Sequence, residues 1–269
     1  MRRLLPALLA IFFALTASAQ TSTIGVVVMH GKSGSPQKFV GELAAYLEHE
    51  GCLVANLEMP WSGRREYDAG VAAADAQVAA ALADLRAKGA ARVFVAGHSQ
   101  GGLFALHSGG VQTVDGVIAI APGGSTSNNL VRAKLGAAMT QARQLVAEGK
   151  GGERTRLADY EGSKGVFPIN TAPAIYVEWF DPEGAMNLQL AERGMRADVP
   201  VLYIVPTGDY PALKASRQTN FDALPARNNP LTELYEPDAS HTGAPSAARE
   251  EILRWMRQIA NPTYKQANT

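Results

Sequence analysis

Arg92-Val93-Phe94-Val95-Ala96-Gly97-His98-Ser99-Gln100-Gly101-Gly102 is a short apolar run that ends in a glycine-flanked serine and leads straight into a segment with helical potential, Leu103 to His107. Strand, sharp turn and helix follow one another without a linker. A serine on such a turn is forced into a strained backbone conformation, and glycines two before and two after it let strand and helix pass closely. Its hydroxyl then stands beyond the sheet edge, where a base can reach it. The alternative is a glycine-rich turn with a bystander serine, but the preceding β-branched run and the additional glycine at 102 weigh against that.

The same alternation extends on both sides. Thr23 to Met29 reads as a strand buried on both faces. After His30-Gly31-Lys32-Ser33-Gly34-Ser35-Pro36 a helix is expected, capped by Ser35, with Pro36 in its first turn and Gly51 at its end. Cys52 to Leu57 is the next strand, and Asp68 to Lys88 the next helix, with Val71, Val78, Leu82 and Leu85 on one face. Val114 to Ala121 is a fourth strand, Val199 to Val205 a fifth and Leu231 to Tyr235 a last one, before a helix from Pro245 that ends at Asn261-Pro262. Strands alternating with helices at this spacing imply right-handed crossovers, a parallel sheet, and a ligand site beyond the strands' carboxyl ends.

The alternation lapses between residues 125 and 197. Apolar residues in phase from Val131 to Leu145, Thr171-Ala172-Pro173 opening a helix through Trp179, and a short stretch around Leu188 predict an inserted helical cap. The expected division is therefore a core of 20–124 and 198–262, a cap of 125–197 and a tail of 263–269. The aromatic residues Trp179 and Phe180 of the cap have two readings: packing of the cap on itself, or lining of a substrate pocket.

The first nineteen residues read differently. Arg2-Arg3, an apolar run from Leu4 to Leu15, and Ala17-Ser18-Ala19 before Gln20 have the layout of a cleaved secretory signal. A periplasmic or secreted protein is expected, with no stable membrane span once the signal is gone and an uncleaved tether as the alternative. Lysines plus arginines balance acids at 25 each, and loss of the signal leaves a charge of about −2, so no basic patch recommends a nucleic acid. Cys52 is the one cysteine, which leaves no internal disulfide and reads as a buried thiol. Gly123-Gly124 lacks the Lys-Ser ending of a phosphate loop, and no His, Cys and acidic cluster has metal-ligand spacing, so neither cofactor nor metal is expected.

A serine nucleophile needs a base within hydrogen-bond reach and a carboxylate to hold that base in the right tautomer. His49 and His107 lie on helices, His98 points away from the serine on its tight turn, and His30 sits where loop backbone faces the site. His241, in the loop before the last helix, is the expected base. Asp209 at a strand end is the expected acid, with Asp238 as the rival. The backbone N–H of Gln100 and that of Lys32 or Gly31 are the expected oxyanion donors.

With His30-Gly31, Gly97-His98-Ser99-Gln100-Gly101-Gly102, Pro200-Val201-Leu202 through Gly208-Asp209, and His241 before the last helix, the chain resembles an α/β-hydrolase of the lysophospholipase, monoglyceride-lipase and serine-aminopeptidase type over residues 23 to 260. The resemblance implies an α/β fold with a serine nucleophile and no cofactor. The first strand begins soon after the signal, so the family's first two strands are missing, which implies a minimal six-stranded, mostly parallel sheet. A small-molecule ester or other acyl substrate follows from the same resemblance. Amidase, peptidase, thioesterase and acyltransferase use the same residues, and a non-catalytic binding or accessory protein on this scaffold is the alternative of another class.

Overall fold

The computed structural model describes residues 23–261. The expected signal segment 1–19, the expected mature start at Gln20 and the tail 263–269 lie outside the described residues. Six strands form one sheet: β1 (Ile24–Met29), β2 (Leu53–Leu57), β3 (Arg92–His98), β4 (Gly116–Ile120), β7 (Val201–Ile204) and β8 (Glu233–Tyr235). Every neighbouring pair is parallel, in the order β2-β1-β3-β4-β7-β8. The expected six-stranded parallel sheet is found, with each strand within two residues of its predicted bounds.

The period of two explains why these strands read as unbroken apolar runs. Val27, Val95, Ala119 and Tyr203 point to one face and Val28, Phe94, Ile118 and Leu202 to the other, and both faces are covered. On the first face lie α2 (Val71–Ala87) and α3 (Gln100–Val111). On the second lie α1 (Gly41–His49) and α9 (Arg249–Ala260), the latter preceded by the short α8 (Ala244–Ala247). Cys52 is buried, and burial pushes its thiol up to about 11, which keeps it protonated and unreactive.

Three departures have physical causes. The helix expected from Pro36 starts only at Gly41, because Lys38 N–H closes a separate turn on Ser35 O and Phe39 stands at φ 69°, a left-handed conformation that breaks the helix before it begins. The helix α7 (Pro211–Asp222) has no apolar stripe to announce it; Asn220 is its buried residue. The third departure lies between β4 and β7. Besides the helices α4 (Asn129–Ala147), α5 (Pro173–Phe180) and α6 (Leu188–Arg193), this segment contains an antiparallel hairpin, β5 (Thr155–Glu161) with β6 (Gly165–Thr171). The segment also packs less on itself than expected: Leu135, Leu157, Ile169, Tyr176 and Trp179 join the same apolar cluster as α2 and α3.

Candidate active site

The chain folds Ser99 into place by excluding side chains around it. Ser99 has φ 56° and ψ −116°, between the end of β3 and the start of α3. A Cβ on Gly97 would overlap the carbonyl of Gly101, and one on Gly101 would lie 2.5 Å from Met29 O and 2.6 Å from His30 O. Strand, turn and helix therefore meet backbone to backbone. The Ser99 N–H donates to Ile120 O at 2.8 Å, and Ser99 O accepts from Leu103 and Gly123, so the end of β4, the loop after it and α3 fix the strained residue. In the sheet order, β1 has β2 on one side and β3 on the other, so its loop and the Ser99 turn open at the switch point where ligands bind in such sheets.

Asp209 and His241 come together because the loops after β7 and β8 run side by side. Thr207 N–H donates to Pro237 O and Gly208 N–H to Ala239 O, and Gly208 bridges Ser240 in parallel register. His241 Nδ1 then lies 2.7 Å from Asp209 Oδ1, which also accepts the N–H of Tyr210. The Asp209 side chain is fully buried. Because a carboxylate only accepts, the proton of His241 sits on Nδ1 and leaves Nε2 free to take another. Asp238 is exposed and receives the Thr207 hydroxyl at 3.1 Å instead.

The other histidines are occupied elsewhere. His30 is buried, and burial holds its pKa below the ordinary histidine value. As a neutral ring it donates from Nδ1 to Gly31 O and accepts the Met59 N–H on Nε2, tying two loops together. His98 turns away from the serine and lies 2.9 Å from the His241 carbonyl through Nε2. Burial first, and the charge of His241 second, lower its pKa to about 3. A ring that stays neutral thus donates to the backbone of His241, a positioning contact that the sequence did not disclose. His107 pairs with Asp75 on α2, and His49 is exposed.

Ser99, Gln100, Gly31, Lys32 and His241 share one cavity of about 330 Å³. Gly31 is packed so closely that a Cβ there would stand 3.2 Å from Ser99 Cβ. Walls that sequence reasoning missed come from Phe39, from Leu130 and Val131 at the start of α4, from Tyr210 and Leu213, and from the hairpin tip at Tyr160 to Lys164. The Tyr210 ring lies 4.7 Å from that of His241. The exposure of an aromatic at Phe39, joined to its left-handed backbone, marks it as a wall residue, but a φ is not legible in sequence.

The pocket role expected of Trp179 and Phe180 is not what the structure shows. Trp179 is 1% exposed, wedged among Trp61, Tyr67 and Phe104 at centroid distances of 5.5 to 5.8 Å, with its indole N–H on Ala69 O. Phe180 borders a larger cleft of about 530 Å³ beside α4 that does not contain Ser99. It approaches the site through the Lys32 ammonium, 5.2 Å from its ring centroid, and packs on the ring of Tyr67. Both are core aromatics on the buried face of α5, which they share with Tyr176, while Ala174 and Glu178 on its other side are exposed. Among the described residues no helix is long and apolar enough to cross a membrane.

Comparison with known proteins agrees with this architecture. The model of a family described as the alpha/beta hydrolase family matches residues 26–255. No curated protein matches. Among solved structures, one from work on LipS and LipT, two metagenome-derived lipolytic enzymes, has a TM-score of 0.60 at 18% identity, covering 88% of this chain and 95% of that one. The alpha/beta hydrolase GrgF from Penicillium sp. sh18 has a TM-score of 0.64 at 14% identity, covering 91% and 92%. A monoacylglycerol lipase of Paleococcus ferrophilus has a TM-score of 0.57 at 18% identity, covering 88% and 96%. Identities this low speak for the fold.

Proposed function

The chain belongs to the alpha/beta hydrolase family, and from that premise we propose that it is an exported serine hydrolase cleaving carboxylic esters through an acyl-enzyme intermediate. The observation that carries the proposal is the pairing of a strained serine at φ 56° with a histidine whose far nitrogen is held 2.7 Å from a buried aspartate, in one cavity. Ser99 Oγ attacks the ester carbonyl carbon as its proton passes to His241 Nε2. Asp209 stabilises the imidazolium so formed. The carbonyl oxygen becomes an oxyanion facing the N–H of Gln100, in the first turn of α3, and that of Lys32 or Gly31. Collapse expels the alcohol, which takes the proton from His241, and water then repeats the sequence on the acyl-enzyme. Apolar walls at Phe39, Leu130, Val131 and Leu213, and a volume of about 330 Å³, favour a compact apolar ester. The lipolytic enzymes among the similar structures support an ester as substrate.

A fluorophosphonate should label purified protein at Ser99, and Ser99→Ala should lose both labelling and turnover of chromogenic esters. Labelling that persists in Ser99→Ala would overturn the proposal. Asp209→Asn should lower kcat by three or more orders of magnitude with little change in unfolding, whereas Asp238→Asn should change it less than about threefold. Export is tested by the mature terminus: Gln20 is expected by mass spectrometry, and Met1 on cytoplasmic protein would remove that part of the reading.

A further inference from the structure

One buried carboxylate in the hairpin is bonded toward both stretches of backbone that the proposed mechanism uses as oxyanion donors. Asp159 of β5 is fully buried. Its Oδ1 lies 2.5 Å from Lys32 Nζ and accepts the N–H of Tyr160, while its Oδ2 lies 3.3 Å from the hydroxyl of Tyr67. The same Tyr67 hydroxyl lies 3.2 Å from the side-chain Oε1 of Gln100. We infer that Asp159 is a positioning residue for the oxyanion site, setting the loop of Lys32 from one carboxylate oxygen and the first residue of α3 from the other. The inference rests on the serine-hydrolase reading above.

Three features of the network favour a positioning role over a purely structural one. A buried ion pair contributes little net stability, because the desolvation of both charges offsets their attraction, so stability alone is a weak account of it. What such a pair does well is fix geometry. Lys32, with its side chain 8% exposed, has its ammonium directed wholly into the segment between β4 and β7: it meets Asp159, the carbonyl of Tyr160 at 3.1 Å and the face of Phe180. Tyr67 is gripped at both ends by the hairpin, its hydroxyl by Asp159 on β5 and its carbonyl by the Thr171 hydroxyl of β6 at 2.6 Å. It stands at φ 56°, a conformation a bulky residue keeps only where its surroundings impose it. Burial, and then the charge of Asp159, raise the Tyr67 pKa well above that of a free phenol, so the hydroxyl keeps its one proton, which Asp159 Oδ2 and Gln100 Oε1 share as acceptors at 3.3 and 3.2 Å. The hairpin, Tyr67 and Gln100 are thereby one rigid chain of contacts ending beside Ser99.

The roles separate kinetically, because a misplaced oxyanion donor weakens the tetrahedral state more than the ground state. Tyr67→Phe keeps the ring in its cavity and removes only the hydroxyl. It should lower ester kcat about fivefold to tenfold, weaken inhibition by a trifluoromethyl ketone by the same factor, and leave KM within twofold. Asp159→Asn should do the same more strongly, and the double variant should be no worse than Asp159→Asn alone, since both cut one chain. A folded Tyr67→Phe with unchanged kcat and unchanged ketone affinity overturns the inference, as does a loss confined to KM. If Asp159→Asn fails to fold, Tyr67→Phe alone decides between these results. Wild-type protein that a fluorophosphonate does not label overturns both this inference and the reading beneath it; wild-type turnover matched by Tyr67→Phe overturns this inference alone.

Discussion

The turn around Ser99 is fixed by what cannot fit, and the segment between β4 and β7 by side chains that reach across to the sheet layers. At Gly97 a side chain would strike the backbone of Gly101, and at Gly101 that of Met29 and His30, so backbone crowding at the glycines forces the geometry. The segment shows the opposite. Asp159 reaches Lys32, Thr171 reaches Tyr67, Trp179 reaches Ala69, Glu178 reaches Val71, and Glu192 receives Tyr203. Most of these pairs are about a hundred residues apart in the chain. Steric exclusion leaves a local signature, the glycines themselves, even where the excluding backbone is distant, whereas docking by polar anchors leaves one only in the folded molecule.

The sharpest way to break the comparison is to add one methyl group on each side of it. Gly97→Ala has no room without moving Gly101 and should yield no soluble folded protein, or lose more than about 4 kcal/mol in denaturant unfolding. Gly162→Ala, at the hairpin tip where a Cβ meets nothing within 4 Å, should stay within about 0.5 kcal/mol of wild type. A stable Gly97→Ala would mean that the turn can relax and that exclusion is not what strains Ser99.

This difference also explains what was legible in the sequence. The strands β1, β3 and β4 were visible because both of their faces are apolar, and the Ser99 turn because only glycine satisfies it. The hairpin was not. Its inward residues are Leu157 and Asp159 on β5 and Ile169 and Thr171 on β6, half of them polar, so the alternation that marks a strand is lost. Pro168 within β6 further disguises it. Asp159 reads as a solvated acid until Lys32 and Tyr67 are seen beside it. Trp179 and Phe180 were legible as buried or pocket-lining but not as which, since an aromatic's partners are set by the layer it packs on.

The apolar half of the docking should be worth more than any single polar anchor. Trp179→Ala removes a ring packed on Trp61, Tyr67 and Phe104 and should cost about 3–5 kcal/mol in denaturant unfolding. Preference among esters of graded acyl length should not change, because the ring is outside the Ser99 cavity. A shift in that preference with unaltered stability would return Trp179 to the pocket.

Glu192 offers a pH-dependent test of the same boundary. It is 1% exposed, accepts the Tyr203 hydroxyl at 3.0 Å, and is pushed up to about 8, chiefly by burial. Between about 4.5 and 8 the folded chain keeps a proton that the unfolded chain gives up, so stability falls as pH rises through that window, by up to about 1.4 kcal/mol per pH unit. His98 has the opposite sign. With its pKa lowered to about 3, its contribution is present above about 6.5 and is lost as pH falls toward 3. Glu192→Gln should flatten the alkaline fall of Tm measured from pH 5 to 8 and leave the acid side alone. An unchanged alkaline slope would show that the carboxyl is ionised in the fold.

The smallest expected effect tests whether an anchor supplied from across the chain can be replaced by a local one. Helix α2 starts after Gly70, which has no side chain with which to cap it, and the N–H groups of Val71 and Ala72 are met instead by Glu178 Oε1 of α5 at 2.8 and 3.4 Å. A carboxylate at a helix N-terminus satisfies orphan donors and opposes the positive end of the helix dipole. Glu178→Ala should therefore cost about 1 kcal/mol in denaturant unfolding, and Glu178→Gln, which keeps an acceptor oxygen, less. Gly70 has φ −78° and ψ 179°, the extended conformation of an N-cap residue, and the atoms a Cβ there would meet belong to Glu178 itself. With Glu178 truncated, that space is free. Gly70→Ser in the Glu178→Ala background should then recover most of the loss, since a serine hydroxyl at the N-cap can accept from the second or third helical N–H. Recovery would turn a tertiary anchor into one written in adjacent residues. If Gly70→Ser recovers nothing while Glu178→Ala still destabilises, Glu178 holds α5 against α2 by some contact other than the cap, and capping is not what joins these two layers.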